Sequence, residues 1–462
     1  MADFSSSTKL TPLDLLMPPT YIRVLLTFRS ISTSTSPVQS LQDALDRVST
    51  TIPWLSGHIF ATASDNEQAP GLEIRYSSDT PRLVLVDKGT IDVSYEALST
   101  EALLFDTVPA NVWPLAPMID QDQFAKGAPV FGTSFFYFAD NQGAGLCVCM
   151  HHGAVDATAF ANIVKLWSQH AAGSTPAYTV HDGNRGARLV DTLRSDLLEI
   201  SCTTADSLFA LHPEYSKIPP ALPAEFPACT CKLFKLSVAQ IEAYKERLKG
   251  CMSTAPSTNT LVCALVWSAV TRARVQRSPT LAQENSRLAM AVNGRQRLSA
   301  EFSSAEEPYL GNLVMYSLAR SSAAGLGSCS DSLESLAKVC EVIGKSQSPE
   351  KINARHVAEV YSLVERVVDY KSVFVGWDLF GSQDLTITSW ADLDFYELNF
   401  GNGLGRPEFT RIASSAADGV GIILPRKART AAAHGVVEVM IMLRSDDMDV
   451  LEHDAMLKDF SS

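Results

Sequence analysis

The clearest alternation of apolar and polar positions in the chain lies over residues 131–170. The segment 131–139 is rich in Phe and Tyr and predicts a strand, Asp140-Asn-Gln-Gly-Ala-Gly145 has turn chemistry, and the apolar run through Cys147-Val-Cys-Met150 predicts a second strand. Together they predict a β-hairpin over 131–150. The second run ends in His151 and His152, and a carboxylate, Asp156, lies four residues past the second histidine. Residues 157–170 then place Phe160, Ile163, Val164 and Trp167 along one helical face. His152 therefore falls in a strand-to-helix junction, where a side chain can be held rigidly and still reach a cleft.

The rest of the chain reads more coarsely. The Pro18-Pro19 break precedes a β-rich run over 21–28; a Ser/Thr-rich loop, 30–40, leads into helical spacing at Leu41, Ala44, Leu45 and Val48. Residues 70–130 alternate short strands with Pro- and Gly-marked turns. Residues 171–230 read as linker: Ala171 to Pro176 and His181 to Gly186 are loop-like, and four prolines fall between Ile218 and Pro227. Beyond it come a strand at 231–236, a helix at 237–249 with Ser237 as N-cap, a helix at 260–274 capped from Ser257, Thr258 or Asn259, and a strand at 288–293. The segment 385–407 predicts a strand and then a sharp loop with glycines at 401, 403 and 405. Strands at 420–424 and 436–443 and an acidic helix at 446–458 close the chain.

Composition narrows the class. A chain of 462 residues suggests two or three domains, and 46% hydrophobic with 19% charged residues fits a globular protein with sizeable cores. The formal charge of -13 argues against a general nucleic-acid or anionic-membrane binder, while leaving room for a local basic pocket that holds phosphates. The N-terminus lacks a basic flank and no run reaches the roughly 18 apolar residues of a membrane span, so a cytoplasmic protein is expected. Nine cysteines without finger-like spacing predict buried reduced thiols, at Cys147/Cys149 and Cys229/Cys231 in particular, and no metal.

Several segments, in order along the chain, carry a resemblance. They are His152-Gly-Ala-Val-Asp156, Trp267-Ser-Ala-Val-Thr-Arg-Ala-Arg274, Asn293-Gly-Arg-Gln-Arg297 with Tyr309-Leu-Gly-Asn312, and Ser389-Trp390 leading to Asn399-Phe-Gly-Asn-Gly-Leu-Gly-Arg-Pro407. In combination they resemble the BAHD acyltransferase family, and the lengthened glycine loop resembles its fungal branch, which includes trichothecene O-acetyltransferases. The resemblance implies an α/β fold of two similar mixed-sheet domains of the chloramphenicol-acetyltransferase-like type. The expected boundaries are an N-terminal domain over 1–200, a crossover linker over 201–230 and a C-terminal domain over 231–462. A channel at the domain interface would hold His152 at its centre, with acyl-CoA entering from one side and the acceptor from the other. The implied reaction moves an acyl group, acetyl foremost, from acyl-CoA to a hydroxyl, less readily an amine, of a small secondary metabolite. The implied protein is a monomer with no nucleic-acid or membrane partner. One departure stands out: Asn399 replaces the aspartate of the family's Asp-Phe-Gly-x-Gly, which puts cofactor affinity or loop rigidity in question.

The residues themselves support parts of this chemistry. Acyl transfer to an alcohol needs a base, and imidazole titrates near working pH, which suits His152. Neighbouring side chains on an extended segment point to opposite sides, so His151 is expected to be a core histidine. The same geometry disfavours a metal site at His151, His152 and Asp156. Asp156 has two readings, orienting His152 as in a triad or pairing with an arginine to brace the turn; the resemblance favours bracing, by Arg295 or Arg297. It also places Thr388 and Trp390 near the reacting carbonyl, as stabilisers of a tetrahedral oxyanion. Ser257, Thr258, Arg272, Arg274, Arg295, Lys427, Gly401 and Gly403 are the candidates for the CoA side. Two other readings stay open: the same cleft used for a non-CoA reaction such as cyclisation, and a non-catalytic binding protein.

Overall fold

The computed structural model describes the chain except residues 1–3, 30–35, 63–69, 78, 80–81, 101–107, 177–184, 402, 414–416, 428–434 and 462. The hairpin forms where the apolar pattern predicts it. Phe131–Phe138 pairs antiparallel with Gly143–His151, and Gly143–His151 pairs on its other edge with Tyr21–Arg29. All nine positions of Gly143–His151 are buried, which explains why its sequence is a continuous apolar run and does not alternate. The full sheet runs Phe409–Ile412, Tyr21–Arg29, Gly143–His151, Phe131–Phe138, Leu85–Ile91.

Two helices, Pro37–Thr51 and Ala157–Ala171, cover this sheet with the apolar faces predicted for them. Leu41, Leu45 and Val48 join Phe160, Ile163, Val164 and Trp167 in one core. Each such side chain contributes about 1.5–3 kcal/mol by leaving water. The Trp167 indole is also satisfied, donating to the Leu41 carbonyl at 3.0 Å.

The second sheet has six strands in the order Cys229–Ser237, Val436–Arg444, Val420–Ile423, Leu385–Ser389, Asn285–Asn293, Val314–Ser322. Leu385–Ser389 runs parallel to both of its neighbours, so the sheet is mixed. The helix Thr258–Arg277 packs in its core, and residues Leu261 to Val270 are buried on every side. That all-round burial accounts for its lack of an amphipathic stripe. Ser257 caps it, accepting from the Thr260 backbone at 3.0 Å, and Ser237 caps Val238–Leu248 by accepting from Gln240 at 3.4 Å.

Several elements depart from the sequence reading. Phe409–Ile412, from the 231–462 segment, pairs with Tyr21–Arg29 and so completes the first sheet. The region read as linker from 171 holds a 15-residue helix, Arg185–Glu199, whose Leu189 and Leu193 are buried one turn apart; the flanking loop signals masked that short apolar face. The stretch 201–230 carries the helix Ala205–Leu211 and the strand Tyr215–Ser216 before an irregular, Pro-rich run. The acidic C-terminal helix is two helices, Ser445–Leu451 and Ala455–Phe460, because Asp454 turns out of the first and caps the second through Leu457 N at 3.0 Å. The helices Leu333–Ser346 and Ala354–Arg366 were not anticipated. Part of the loops expected at 30–40 and 181–186 lies outside the described residues. All nine cysteines are free; Cys147 and Cys149 are buried, while Cys229 and Cys231 are half-buried.

Candidate active site

The site forms where the strand Gly143–His151 ends. Backbone pairing continues for two residues, with His151 N donating to the Val130 carbonyl at 2.8 Å and His152 N to that of Thr20 at 2.9 Å. The chain then turns, and Asp156 becomes the N-cap of Ala157–Ala171, its Oδ1 accepting from Ala159 N at 2.9 Å. A carboxylate at a helix N-terminus also meets the positive end of the helix dipole.

Asp156 is fully engaged. Oδ2 accepts from Arg295 Nη1 at 2.8 Å and from Leu313 N at 2.9 Å, and Oδ1 accepts from Arg295 Nη2 at 3.1 Å as well as from Ala159. Four hydrogen bonds fill the acceptor capacity of a carboxylate. Asp156 therefore braces the turn, and its charge reaches His152 only through space. Arg295 is buried and spends its remaining donors on the carbonyls of Tyr309 and Gly311, while Arg297 turns away to the Gln347 carbonyl. Of the two arginines offered by the sequence, Arg295 is the partner, and its guanidinium is committed there.

His152 is half-buried, and its main chain is held from the other half: Asn312 Nδ2 donates to the His152 carbonyl at 2.9 Å and to Asp14 Oδ1 at 2.9 Å. Asp14 is itself locked in a reciprocal cap with Thr11. Arg185 adds a hydrogen bond from Nη1 to the Ala154 carbonyl at 2.6 Å and lies over the Trp54 ring. Asp14 and Arg185 were not picked out from the sequence. The only signal for Asp14 was Thr11-x-x-Asp14, which reads as a helix start.

Burial lowers the His152 pKa below the ordinary imidazole value. The Asp156 charge, the His152 and Val155 carbonyls and the Asn312 side chain oppose that shift. Nδ1 is buried without a hydrogen-bond partner, as is Asn312 Oδ1. His151 is a different case. It is 1% exposed, accepts from Gly153 N through Nδ1 at 3.0 Å, packs against Tyr21 and Phe124, and has its pKa lowered to about 3 by burial. It is the core histidine the strand geometry implied.

On the far side, the parallel register of Leu385–Ser389 with Asn285–Asn293 brings the carboxyl ends of both strands to the Asp156 helix. Asn293 Nδ2 reaches Thr158 Oγ1 at 3.3 Å. A cavity of about 450 Å3 opens at this junction, lined from one side by Thr158, Asn162 and Lys165 and from the other by Asn293, Arg295, Tyr309, Ser389 and Asp392. His152, Thr388 and Trp390 are not among its lining residues; Thr388 and Trp390 flank Ser389, which is. Trp390 stacks on Phe395 at 5.8 Å and contacts Phe160, so it is core packing between the halves, and Thr388 is half-buried in its strand.

A second cavity of about 260 Å3 meets the first at Asp392 and is lined by Ser257, Thr258, Asn259, Ala391 and Arg426. Ser257 and Thr258 are therefore brought together at a helix start, and Arg426 pairs with Asp392 across the space. The other CoA-side candidates go elsewhere. Arg272 is bound to Asp454 at two points, both 2.8 Å, some 20 Å along the helix from Ser257 at about 1.5 Å per residue. Arg274 is buried against the Asp384 carbonyl and Asp418, and Lys427 lies over the Phe409 ring. Gly401 adopts φ +82°, and a Cβ there would come within 2.7 Å of the Ala171 carbonyl; Gly403 packs beside Pro37. The glycine loop thus docks on the C-terminal end of Ala157–Ala171 and lines neither cavity.

This order of parts agrees with the comparisons. Residues 109–458 match the Transferase family, and residues 20–171 match the trichothecene 3-O-acetyltransferase-like N-terminal domain. The chain belongs to the Transferase family. This is the BAHD family of the sequence resemblance. O-acetyltransferase ptmV of Penicillium ochrochloron is 26% identical over 96% of this chain and 94% of its own. Trichothecene 8-O-acetyltransferase of Fusarium sporotrichioides is 26% identical over 96% of both. In structure the chain is similar to TRI101 of F. graminearum complexed with coenzyme A and T-2 mycotoxin, with TM-score 0.80 at 19% identity over 99% of each chain. Vinorine synthase follows the same fold at TM-score 0.64 and 16% identity, over 100% of this chain and 95% of that one. The BAHD fold, mixed α/β in two domains, is the one the sequence motifs implied. In the glycine loop, Asn399 is exposed and its Oδ1 accepts from Gly401 N at 3.0 Å, a bond that the family's aspartate would make equally well.

Proposed function

We propose that this acyltransferase moves an acyl group, acetyl foremost, from acyl-CoA to a hydroxyl of a small secondary metabolite, acting as a monomer with His152 as general base. The observation that carries the reading is the saturation of Asp156 by Arg295, Ala159 and Leu313, which makes the turn rigid and leaves the His152 imidazole free of a carboxylate hydrogen bond from that residue. His152 takes the acceptor's hydroxyl proton as that oxygen attacks the thioester carbonyl. The tetrahedral intermediate then collapses, the C–S bond breaks, and the proton passes from His152 to the departing thiolate.

The adjoining cavities support a path for the co-substrate. The N-terminus of Thr258–Arg277 supplies donors and positive potential for phosphates, and the larger cavity leads from there toward the helix that follows the turn. Of the two candidates for the oxyanion donor, Thr388 stands, while Trp390 packs between the halves. The O-acetyltransferase names of the relatives favour acetyl-CoA and a fungal alcohol. No observation favours a non-CoA reaction, since the Asn399 departure that raised it leaves the loop's hydrogen bond in place. The test is acceptor-dependent thiol release from acetyl-CoA across a panel of hydroxylated fungal metabolites. Release is expected with at least one acceptor; failure of acetyl-CoA and longer acyl-CoAs to bind in a calorimetric titration would contradict the proposal.

A further inference from the structure

A second cluster of chemically capable side chains lies away from His152, where the linker meets the helix Ala354–Arg366. His212 ends the helix Ala205–Leu211, Glu214 follows two residues later, and His356 occupies the first turn of Ala354–Arg366. One ligand atom from each lies within 4.8 Å of the others. His212 is 2% and Glu214 5% exposed, and the His356 side chain 13%.

Hydrogen bonding leaves an unpartnered ring nitrogen facing a carboxylate at the centre. The Lys351 carbonyl accepts from the His356 ring, which places the proton on Nδ1 and the lone pair on Nε2. That Nε2 is buried, lacks a hydrogen-bond partner, and stands 3.3 Å from Glu214 Oε1. The same carboxylate oxygen is 2.9 Å from His212 Nδ1, and Glu359 Oε2 lies 3.2 Å from His212 Nε2; with the proton on Nε2, held by Glu359, Nδ1 presents its lone pair beside Glu214. In that tautomer two imidazole lone pairs and a carboxylate converge in a buried space, where one cation would satisfy all three.

We propose that His212, Glu214 and His356 form a binding site for a divalent transition metal ion of the zinc type, with Glu359 orienting His212. The separations of 2.9 and 3.3 Å are close to the roughly 3.3 Å between ligands of a tetrahedral ion at bonds of about 2.0–2.1 Å. A carboxylate behind a ligating histidine is the usual outer partner of such sites. Two neutral imidazoles and one carboxylate leave one positive charge on the centre, which Glu359 balances, and Arg355 holds Glu359 from outside at 2.7 Å. The fourth position is left to a water molecule. The site's consequence is structural: it ties the linker to the second half, independently of acyl transfer. The sequence reading expected no metal because no spacing along the chain brings these residues together.

The test uses the full chain, treated with a chelator and titrated with Co2+. Expected are a visible absorption band of tetrahedral type that saturates at one equivalent, its loss on addition of one equivalent of Zn2+, and a rise in Tm with Zn2+. His356→Gln and Glu214→Gln should abolish saturation at one equivalent, and Glu359→Gln should weaken Co2+ binding about 10- to 100-fold. A wild-type titration without a one-equivalent end point would overturn the proposal, and this readout stands even where a variant fails to fold. Unchanged affinity in a His356→Gln protein with native circular dichroism would overturn it too.

Discussion

Arg295 grips Asp156 at two points, Nη1 to Oδ2 at 2.8 Å and Nη2 to Oδ1 at 3.1 Å, with both side chains almost wholly buried. The pair joins a helix start in the first half to the loop that follows a strand in the second, and the His152 turn lies between them. Removing one partner of a buried pair leaves the other charge without compensation. Asp156→Asn is therefore expected to lose about 3–5 kcal/mol in denaturant unfolding, together with most turnover. Native stability with only a shifted pH profile would instead support the triad reading.

The lowered His152 pKa has a kinetic consequence. The base must be neutral to accept a proton, and a depressed pKa keeps it neutral further into acid. The acid limb of kcat/KM should fall at a pH below the ordinary imidazole value of 6.5. A limb at or above that value would contradict the burial described for the ring.

His151 bears on stability. Its folded pKa of about 3 lies below the unfolded value of 6.5, so between these values the unfolded chain holds the extra proton. The contribution is intact above pH 6.5 and is lost progressively as the pH falls toward 3. His151→Asn retains an acceptor for Gly153 N and removes the titration, so its Tm should fall less steeply across this range than that of the wild type.

Asn399 is exposed and its Oδ1 accepts a local hydrogen bond from Gly401 N. Restoring the family's residue, Asn399→Asp, is expected to change stability by less than about 0.5 kcal/mol and to leave acetyl-CoA affinity within a factor of two. A large gain in affinity on calorimetric titration would show that the departure does alter co-substrate binding.

Gly401 has a specific steric reason for being glycine, with φ +82° and the Ala171 carbonyl beside it. Gly401→Ala should cost about 1–3 kcal/mol by urea unfolding and loosen the loop against Ala157–Ala171.

Much of this site was legible because its key parts are local. The apolar run into His151-His152 and the amphipathic helix after Asp156 obey short-range patterns, and the structure places them as read, while the cap that Asp156 makes was not picked out. The partners that fix them come from far along the chain: Asp14 and Asn312 meet at 2.9 Å although they belong to opposite halves. No periodicity encodes such a meeting. Arg272 misled for a related reason, since proximity along one helix to Ser257 in sequence is still a long distance in space, and its donors were already matched to Asp454. The strand Phe409–Ile412 follows a glycine loop that reads as an end, yet it crosses to the other sheet.

The central claim is that His152 is the base in a CoA-dependent acyl transfer, and one paired measurement tests it most directly. Acceptor-dependent thiol release from acetyl-CoA is compared in the wild type and in His152→Ala, with acetyl-CoA binding measured by calorimetry on both. The account predicts a loss of turnover on the order of 10²–10⁴-fold with co-substrate affinity and Tm nearly unchanged. Turnover retained within a few-fold in a folded, CoA-binding His152→Ala protein would contradict it.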